Sequence, residues 1–93
     1  MTKMLHKFEK VIAKHGFELV NEVEKIFKFG EKVTKRMDYT YKNPKYEGRV
    51  DVWVYTDGRQ DCFHFFKQSN GIIAPSILDT APQLDRNLTR HYG

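Results

Sequence analysis

The chain has 93 residues, enough for one hydrophobic core and too few for two, so residues 1–93 are expected to form a single domain. One cysteine, no apolar run of about 18 residues and no export leader predict a cytoplasmic protein without disulfides or a membrane partner. The net charge of +4 is compatible with an anionic partner such as nucleic acid, and a charge of this size also serves solubility.

The first amphipathic segment covers residues 2–15 and is predicted to be a helix. Its apolar residues recur at spacings of three and four, and Gly16 follows as a natural C-terminal cap. Four lysines fall on the opposite side of this helix, namely Lys3, Lys7, Lys10 and Lys14. Such a lysine ridge contacts backbone phosphates without reading sequence, and it is also typical of a solvated helix face.

Residues 17–29 fit both a helical and an alternating pattern, and a strand is favoured. A helix has just ended before this segment, and the segment is rich in aromatic and β-branched residues. Residues 33–42 alternate between apolar and polar side chains, which predicts a second strand. We expect the two strands to pair around a loop at residues 30–32, with Phe29 opposite Val33.

Residues 50–66 contain the strongest local pattern of the chain, a β-hairpin. Asp57 and Gly58 lie between two runs of β-branched and aromatic residues and predict a two-residue type I′ turn. That turn places Asp51 opposite His64 on the neighbouring strand. One face of the hairpin is then suited to packing under a helix. The other face carries the residues expected to bind a partner, namely Arg49, Trp53, Tyr55, His64 and Phe66.

The last part of the chain contains a proline-interrupted apolar segment followed by a helix. Residues 72–78 are expected to cross the sheet as an irregular extended arm. Thr80 and Gln83 form a capping box that starts a short helix. If the arm and this helix cover Trp53, both faces of the sheet are core and no aromatic binding face exists; this alternative stays open.

The predicted architecture is therefore α+β. It consists of an N-terminal helix, an antiparallel meander of three to four strands, an irregular C-terminal arm and a short helix.

One group of residues has the chemistry of a catalytic site. In the predicted register Asp51, His64 and Cys62 share a face, and a carboxylate, an imidazole and a thiol can hold a general base or activate a nucleophile. The chain lacks a glycine-rich elbow that would complete such a site, so a surface ion pair is favoured. No zinc-ligand spacing or nucleotide-binding motif is present, and we predict neither a metal nor a cofactor.

The segment 14–20 reads Lys-His-Gly-Phe-Glu-Leu-Val and joins a predicted helix to predicted strands. This opening, about twenty residues long, resembles that of the small mRNA interferases of toxin–antitoxin pairs, whose fold is similar to a double-stranded-RNA-binding domain. In that family a Gly-Ser/Thr-His catalytic segment follows the strand. Residues 21–27 contain no histidine, so the resemblance implies a similar opening and does not carry over the activity.

The favoured function is a non-enzymatic binding module that contacts nucleic acid through the lysine ridge and the aromatic sheet face. The alternative is a protein-binding inhibitor or adaptor, of the kind encoded by phages and mobile elements, that docks on a larger nucleic-acid-processing enzyme through the same aromatic residues. A toxin-like ribonuclease is a more distant alternative.

Overall fold

The computed structural model describes residues 5–92 and has the α+β architecture predicted from the sequence. The elements in chain order are helix α1 (Glu9–Lys14), strands β1 (Glu18–Phe29), β2 (Lys32–Lys42), β3 (Arg49–Tyr55), β4 (Gln60–Lys67) and β5 (Ile73–Leu78), and helix α2 (Ala81–Tyr92). The strands pair in sequence order, and all four pairings are antiparallel. The sheet is a five-stranded meander, one strand larger than the upper number expected.

Both helices pack on one face of the sheet, which we call the inner face. The core between helices and sheet consists of Phe8, Ile12, Phe17, Tyr39, Tyr41, Val50, Val52, Cys62, Leu78, Leu84 and Leu88. Because strand side chains alternate, the neighbours of these core residues point to the opposite, outer face. Within residues 5–92 no element packs over that outer face.

Helix α1 is shorter than the predicted helix over residues 2–15. Residues 1–4 lie outside the described part of the chain, and the next four residues form bends and turns. Nδ1 of His6 accepts a hydrogen bond from the backbone N–H of Phe8 at 3.2 Å, so a side chain replaces the helical backbone acceptor. The C-terminal end is as predicted, since Gly16 follows the helix with a φ of 82°.

Segment 17–29 forms strand β1, as the alternating pattern indicated, but its register with β2 differs from the prediction. The connecting turn has two residues, Gly30 and Glu31, and the glycine has a φ of 62°. A glycine with positive φ at the first of two turn positions is typical of a type II′ turn. Phe29 therefore lies opposite Lys32, and the predicted pairing with Val33 is wrong by one residue.

The β3–β4 hairpin forms where it was predicted, but its loop has three residues instead of two. The N–H of Tyr55 donates to the carbonyl of Arg59 at 2.9 Å, and the carbonyl of Tyr55 accepts from the N–H of Gly58 at 3.0 Å. Only Gly58 has a positive φ, of 97°, while Asp57 does not. This pattern is that of a type I turn followed by a glycine bulge, the common three-residue hairpin loop.

The extra loop residue shifts the β3–β4 register by one position. Asp51 lies opposite Phe63, and His64 lies opposite Val50, so the predicted pair of Asp51 and His64 does not form. A shift of one residue turns every side chain of a strand to the other face. The inner face receives Cys62, His64 and Phe66 of β4, and the outer face receives Phe63 and Phe65.

The predicted irregular arm is instead an edge strand, β5, which pairs with β4 from Cys62↔Leu78 to Lys67↔Ile73. Pro75 is tolerated there because an edge strand has one side without ladder partners. Helix α2 begins with the predicted capping box, in which the N–H of Gln83 donates to Oγ1 of Thr80 and the N–H of Thr80 donates to Oε1 of Gln83, both at 3.3 Å. The arm and α2 leave Trp53 uncovered.

The conformation of Gly58 allows a test of the three-residue loop. Replacing Gly58 with Ala should lower the free energy of unfolding by about 1 kcal/mol, because an L-residue with a Cβ is strained at positive φ. Gly58→Asn should cost less, since asparagine tolerates this region. Urea denaturation followed by Trp53 fluorescence would measure both variants. Equal stability of the wild type and the alanine variant would contradict the loop assignment.

Candidate functional site

Four aromatic side chains form the middle of the outer face. Trp53 and Tyr55 come from β3, and Phe63 and Phe65 come from β4. The ring centroids of Trp53 and Phe63 are 4.6 Å apart, and those of Phe63 and Phe65 are 6.4 Å apart. All four side chains are half-buried, although no helix covers them, because they pack against one another and against neighbouring arginines.

Three arginines lie over these rings. The guanidinium carbon of Arg36 is 4.0 Å from the centroid of Trp53, that of Arg49 is 4.4 Å from Phe65, and that of Arg59 is 3.9 Å from Tyr55. At these distances the cation is attracted to the face of the ring. The outer face therefore presents a layer of guanidinium groups above a layer of aromatic rings.

Each of these arginines is also paired with an aspartate two residues further along the chain. The nitrogen–oxygen distances are 2.5 Å for Arg36 with Asp38, 3.3 Å for Arg49 with Asp51 and 3.9 Å for Arg59 with Asp61. A spacing of two in a strand places both side chains on the same face. The charges of the three arginines are thus largely balanced within the site. We call these arginines, aspartates and the four aromatic residues the arginine–aromatic layer.

Asp51 is the least satisfied polar group of this layer. Its Oδ2 atom accepts a hydrogen bond from Arg49, whereas its Oδ1 atom is buried and has no hydrogen-bond partner among residues 5–92. Burial raises the pKa of this carboxyl above its ordinary value, and the nearby Arg49 charge opposes that rise. A hydrogen bond from the Thr40 side chain opposes the rise of this pKa as well.

A shallow pocket with three cations lies at one end of the outer face. It is lined by Lys42, Glu47, Arg49, Phe65, Phe66, Lys67 and Ile73. Lys67 approaches Glu47 at 3.8 Å, and Lys42 forms no ion pair with another described residue. The lining holds three cations and one carboxylate, and its net positive charge makes this end of the face suitable for an anionic group.

The structure brings together three of the five residues predicted for the sheet site. Arg49, Trp53 and Tyr55 share the outer face, as expected. The placement of His64 and Phe66 beside them is wrong, because the register shift turns both to the inner face. The ring of Phe66 lies instead beside that of His91, with centroids 4.2 Å apart.

His64 is a buried structural residue with both ring nitrogens engaged. Its Nδ1 atom donates to Oδ1 of Asn87 at 2.6 Å, and its Nε2 atom accepts from the hydroxyl of Tyr92 at 2.7 Å, an arrangement that fits a neutral ring. Burial lowers the pKa of His64 to about 4. The imidazole is therefore closed off from solvent and tied to helix α2.

Of the four lysines predicted to form a ridge, the structure describes Lys7, Lys10 and Lys14, and these three do not lie on one helix. Lys3 lies outside the described residues, and Lys7 lies in the turn before α1. Lys10 and Lys14 are on the helix and exposed, but Nζ of Lys14 is 3.0 Å from Oδ2 of Asp85 in α2. Lys7 does not share a helix face with Lys10 and Lys14, because helix α1 starts at Glu9.

The other residues considered for chemistry are also dispersed. Cys62 is fully buried on the inner face, where burial raises the pKa of its thiol to about 12. Asp51 projects from the outer face and is separated from Cys62 and His64 by the sheet. In the described range 5–92, no cluster of three or more His, Cys, Asp or Glu side chains could hold a metal ion.

Sequence reasoning misses several residues of the site, and one sequence signal identifies them. A two-residue loop places Phe63, Phe65 and Arg59 on the face that packs under a helix. The alternation of residues 33–42 makes Arg36 a solvated polar residue. The signal is the recurrence of Arg-x-Asp at 36–38, 49–51 and 59–61, which in three strands places matched ion pairs on one face.

Comparison with protein-family models, curated proteins and solved structures gave no match for this chain. Neither α1 nor α2, the helices of the described chain, is long and apolar enough to cross a membrane.

The two buried histidines predict a loss of stability at mildly acidic pH. Burial lowers the pKa of both His6 and His64 to about 4, whereas a histidine in the unfolded chain has a pKa near about 6.5. Below that value the unfolded chain binds protons that the folded chain does not, so the free energy of unfolding falls. We expect a loss of about 2 kcal/mol per histidine at about pH 5.

Urea denaturation at about pH 7.5 and 5 would measure this effect, with full stability expected at the higher value. His64→Gln should be less stable at neutral pH and should lose less on acidification than the wild type. His6→Gln gives an independent check, should the first variant not fold. An identical pH dependence in the wild type and in a folded variant would show that the replaced histidine is not buried in its neutral form.

The buried thiol of Cys62 should be unreactive in the folded protein. Ellman's reagent reacts with the thiolate, which is scarce at neutral pH when burial has raised the pKa to about 12. We expect no colour in native buffer and one equivalent of thiol after addition of guanidinium chloride, since the chain has one cysteine. A fast reaction in native buffer would mean that Cys62 is accessible and activated.

Proposed function

We propose that the protein is a non-enzymatic binding module that holds single-stranded nucleic acid on the outer face of its sheet. The observation that carries this proposal is the open arginine–aromatic layer, in which Arg49 and Arg59 lie over Phe65 and Tyr55. Unpaired bases stack on aromatic rings and on guanidinium planes. The side chains of Arg49 and Arg59 are 47% and 62% exposed, so their planes are accessible to a base.

The pocket at the end of the layer supports a place for the sugar–phosphate backbone. Lys42, Arg49 and Lys67 line this pocket together with Phe65, so a base stacked on the Arg49 plane has cations close to its flanking phosphates. Lysines and arginines beside a stacking platform are the usual arrangement for single strands. Such contacts read the backbone and not the sequence, so we expect little base preference.

The burial and hydrogen bonding of the candidate catalytic side chains support a non-enzymatic role. Both ring nitrogens of His64 are used in hydrogen bonds within the core, and Cys62 is buried with a raised pKa. Neither side chain shares a face with Asp51. A binding role requires none of these three residues to act as an acid, a base or a nucleophile.

A protein partner is the second candidate, and one observation favours it. All three arginines of the layer are paired with aspartates, so they offer a phosphate less free charge than unpaired arginines do. Tryptophan, tyrosine and arginine are also the residues most enriched at energetic centres of protein interfaces. The two candidates differ in salt dependence, because only phosphate binding releases condensed counterions.

Trp53 is the only tryptophan and reports on the outer face directly. Titration with oligo(dT) or oligo(U) of about 15 nucleotides should quench its fluorescence, as bases stack on the layer. With three cations at the pocket, the logarithm of affinity should fall with the logarithm of salt concentration with a slope of about −2. Phe65→Leu should weaken binding about tenfold, whereas Phe65→Tyr should retain it, because only tyrosine keeps a stacking ring.

The double variant Arg86→Ala/Arg90→Ala serves as the control, since both arginines are exposed on α2 and away from the outer face. It should bind as the wild type does. Lack of quenching by either oligonucleotide at about 50 mM salt would contradict the nucleic-acid proposal. Equal affinities of Phe65→Leu and Phe65→Tyr would contradict stacking at this position.

A further inference from the structure

Strands β1 and β2 extend beyond the end of β3 as a two-stranded projection. The pairing of β2 with β3 ends at Arg36↔Tyr55, and only one further hydrogen bond, from the N–H of Thr56 to the carbonyl of Lys35, follows it. The pairs from Ile26↔Lys35 to Phe29↔Lys32 have no third strand beside them. We call residues 25–35 the ribbon. It contains five residues of β1 and four of β2, and the longer of the two strands corresponds to about 17 Å.

The ribbon holds nearly all of the excess positive charge of the protein. It contains Lys25, Lys28, Lys32 and Lys35 and a single carboxylate, Glu31. The chain has sixteen Lys and Arg and twelve Asp and Glu residues, which leaves twelve cations and eleven carboxylates for all other positions. The four lysines are exposed, and none forms an ion pair with another residue between 5 and 92.

The lysines are distributed over both faces of the ribbon. Lys25 and Lys32 are on the side of the outer face, and Lys28 and Lys35 are on the opposite side. Apolar side chains occur between them, and Phe29 beside the turn is 72% exposed, more than any other large apolar residue of the described chain. A projecting element with cations on both sides fits between two walls of negative charge better than on a single flat surface.

We infer that the ribbon is a second binding site, which enters the major groove of double-stranded DNA and contacts phosphates of both strands. That groove is about 12 Å wide and admits a two-stranded ribbon. Lysines on each face are then directed at opposite walls of the groove. The turn residues Gly30 and Glu31 enter deepest with Phe29 beside them, where a carboxylate can accept from cytosine N4 and an apolar side chain can contact thymine methyls. The site uses other residues and another form of nucleic acid than the outer-face proposal.

An anionic lipid surface is the other partner with suitable charge, and the ribbon fits it less well. A hairpin that inserts into lipid has one apolar side and keeps its charges at the interface. Here both sides carry lysines, and Glu31 at the turn lies beside Phe29 at the tip, where insertion would bury its carboxylate. Lysines on both sides favour the groove, and the carboxylate at the tip disfavours insertion into lipid.

The test compares two variants that each remove two positive charges, Lys28→Ala/Lys32→Ala in the ribbon and Arg86→Ala/Arg90→Ala on α2. Fluorescence anisotropy with a labelled duplex DNA of about 20 base pairs gives affinities between about 50 and 200 mM salt. The ribbon variant should bind at least about tenfold more weakly at the lower concentration, and its salt slope should be smaller by about two units. The α2 variant should bind as the wild type does.

The inference is overturned if the wild type does not bind the duplex, or if the ribbon and α2 variants bind equally well. Ribbon-dependent sedimentation with phosphatidylserine vesicles without duplex binding would overturn it in favour of lipid. Quenching of Trp53 fluorescence by single strands tests the outer-face proposal independently of duplex binding by the ribbon. A ribbon variant with normal quenching and weakened duplex binding supports two sites, whereas normal duplex binding without quenching contradicts only the outer-face proposal.

Discussion

The docking of helix α2 on the inner face determines which surface of this molecule is free. Leu84 and Leu88 are fully buried there, and Asn87 and Tyr92 bind the two ring nitrogens of His64. A fully buried imidazole that lost these partners would cost about 1–3 kcal/mol per unsatisfied group. The same helix therefore cannot move to the outer face without leaving His64 unpaired. Both helices of residues 5–92 are used on one side, and no other described element covers the opposite side.

The outer face remains compatible with water because of the side chains that lie on it. Arginine stems cover apolar surface while their guanidinium groups stay hydrated, so the rings beneath Arg36, Arg49 and Arg59 are shielded from solvent. The aspartates two residues further on hold these guanidinium groups in position. A cation over a ring contributes about 0.5–1 kcal/mol at an exposed site and more where water is excluded. The arginine–aromatic layer thus shields the outer face from water without a covering helix, and it leaves planar charged groups at the surface.

Much of the fold could be predicted from local patterns, and the face assignment of β4 could not. The capping box at Thr80 and the glycine after α1 depend on neighbouring residues only, and both predictions are confirmed. The loop at Gly58 is different, because two-residue and three-residue hairpin loops both use a glycine with positive φ. One residue more or less in that loop reverses every β4 side chain. For this reason His64 lies on the inner face and Phe63 on the outer face, the reverse of the prediction.

The burial pattern of β4 explains why its sequence alone did not decide between the two registers. Cys62, His64 and Phe66 alternate with Phe63 and Phe65, so both sets are largely aromatic or apolar. Choosing the inner set requires knowing that Asn87 and Tyr92, more than twenty residues away, satisfy the imidazole. The Arg-x-Asp units give a second criterion, since Arg36, Arg49 and Arg59 need aromatic neighbours on their own face. Both criteria are tertiary and lie outside the hairpin itself.

The two charged surfaces of the molecule differ in the range over which they act. On the outer face each arginine has a carboxylate within 2.5 to 3.9 Å, so the fields of the pair largely cancel a short distance away. The ribbon lysines have no such partners in the described chain, and their field extends about 10 Å into a solution of about 0.1 M salt. Unpaired charge accelerates encounter with a polyanion, whereas packed aromatic and arginine contacts slow dissociation. Under the two proposals, a partner that met both surfaces would be attracted by the ribbon and retained by the layer, so association rate and complex lifetime would depend on separate parts of one sheet.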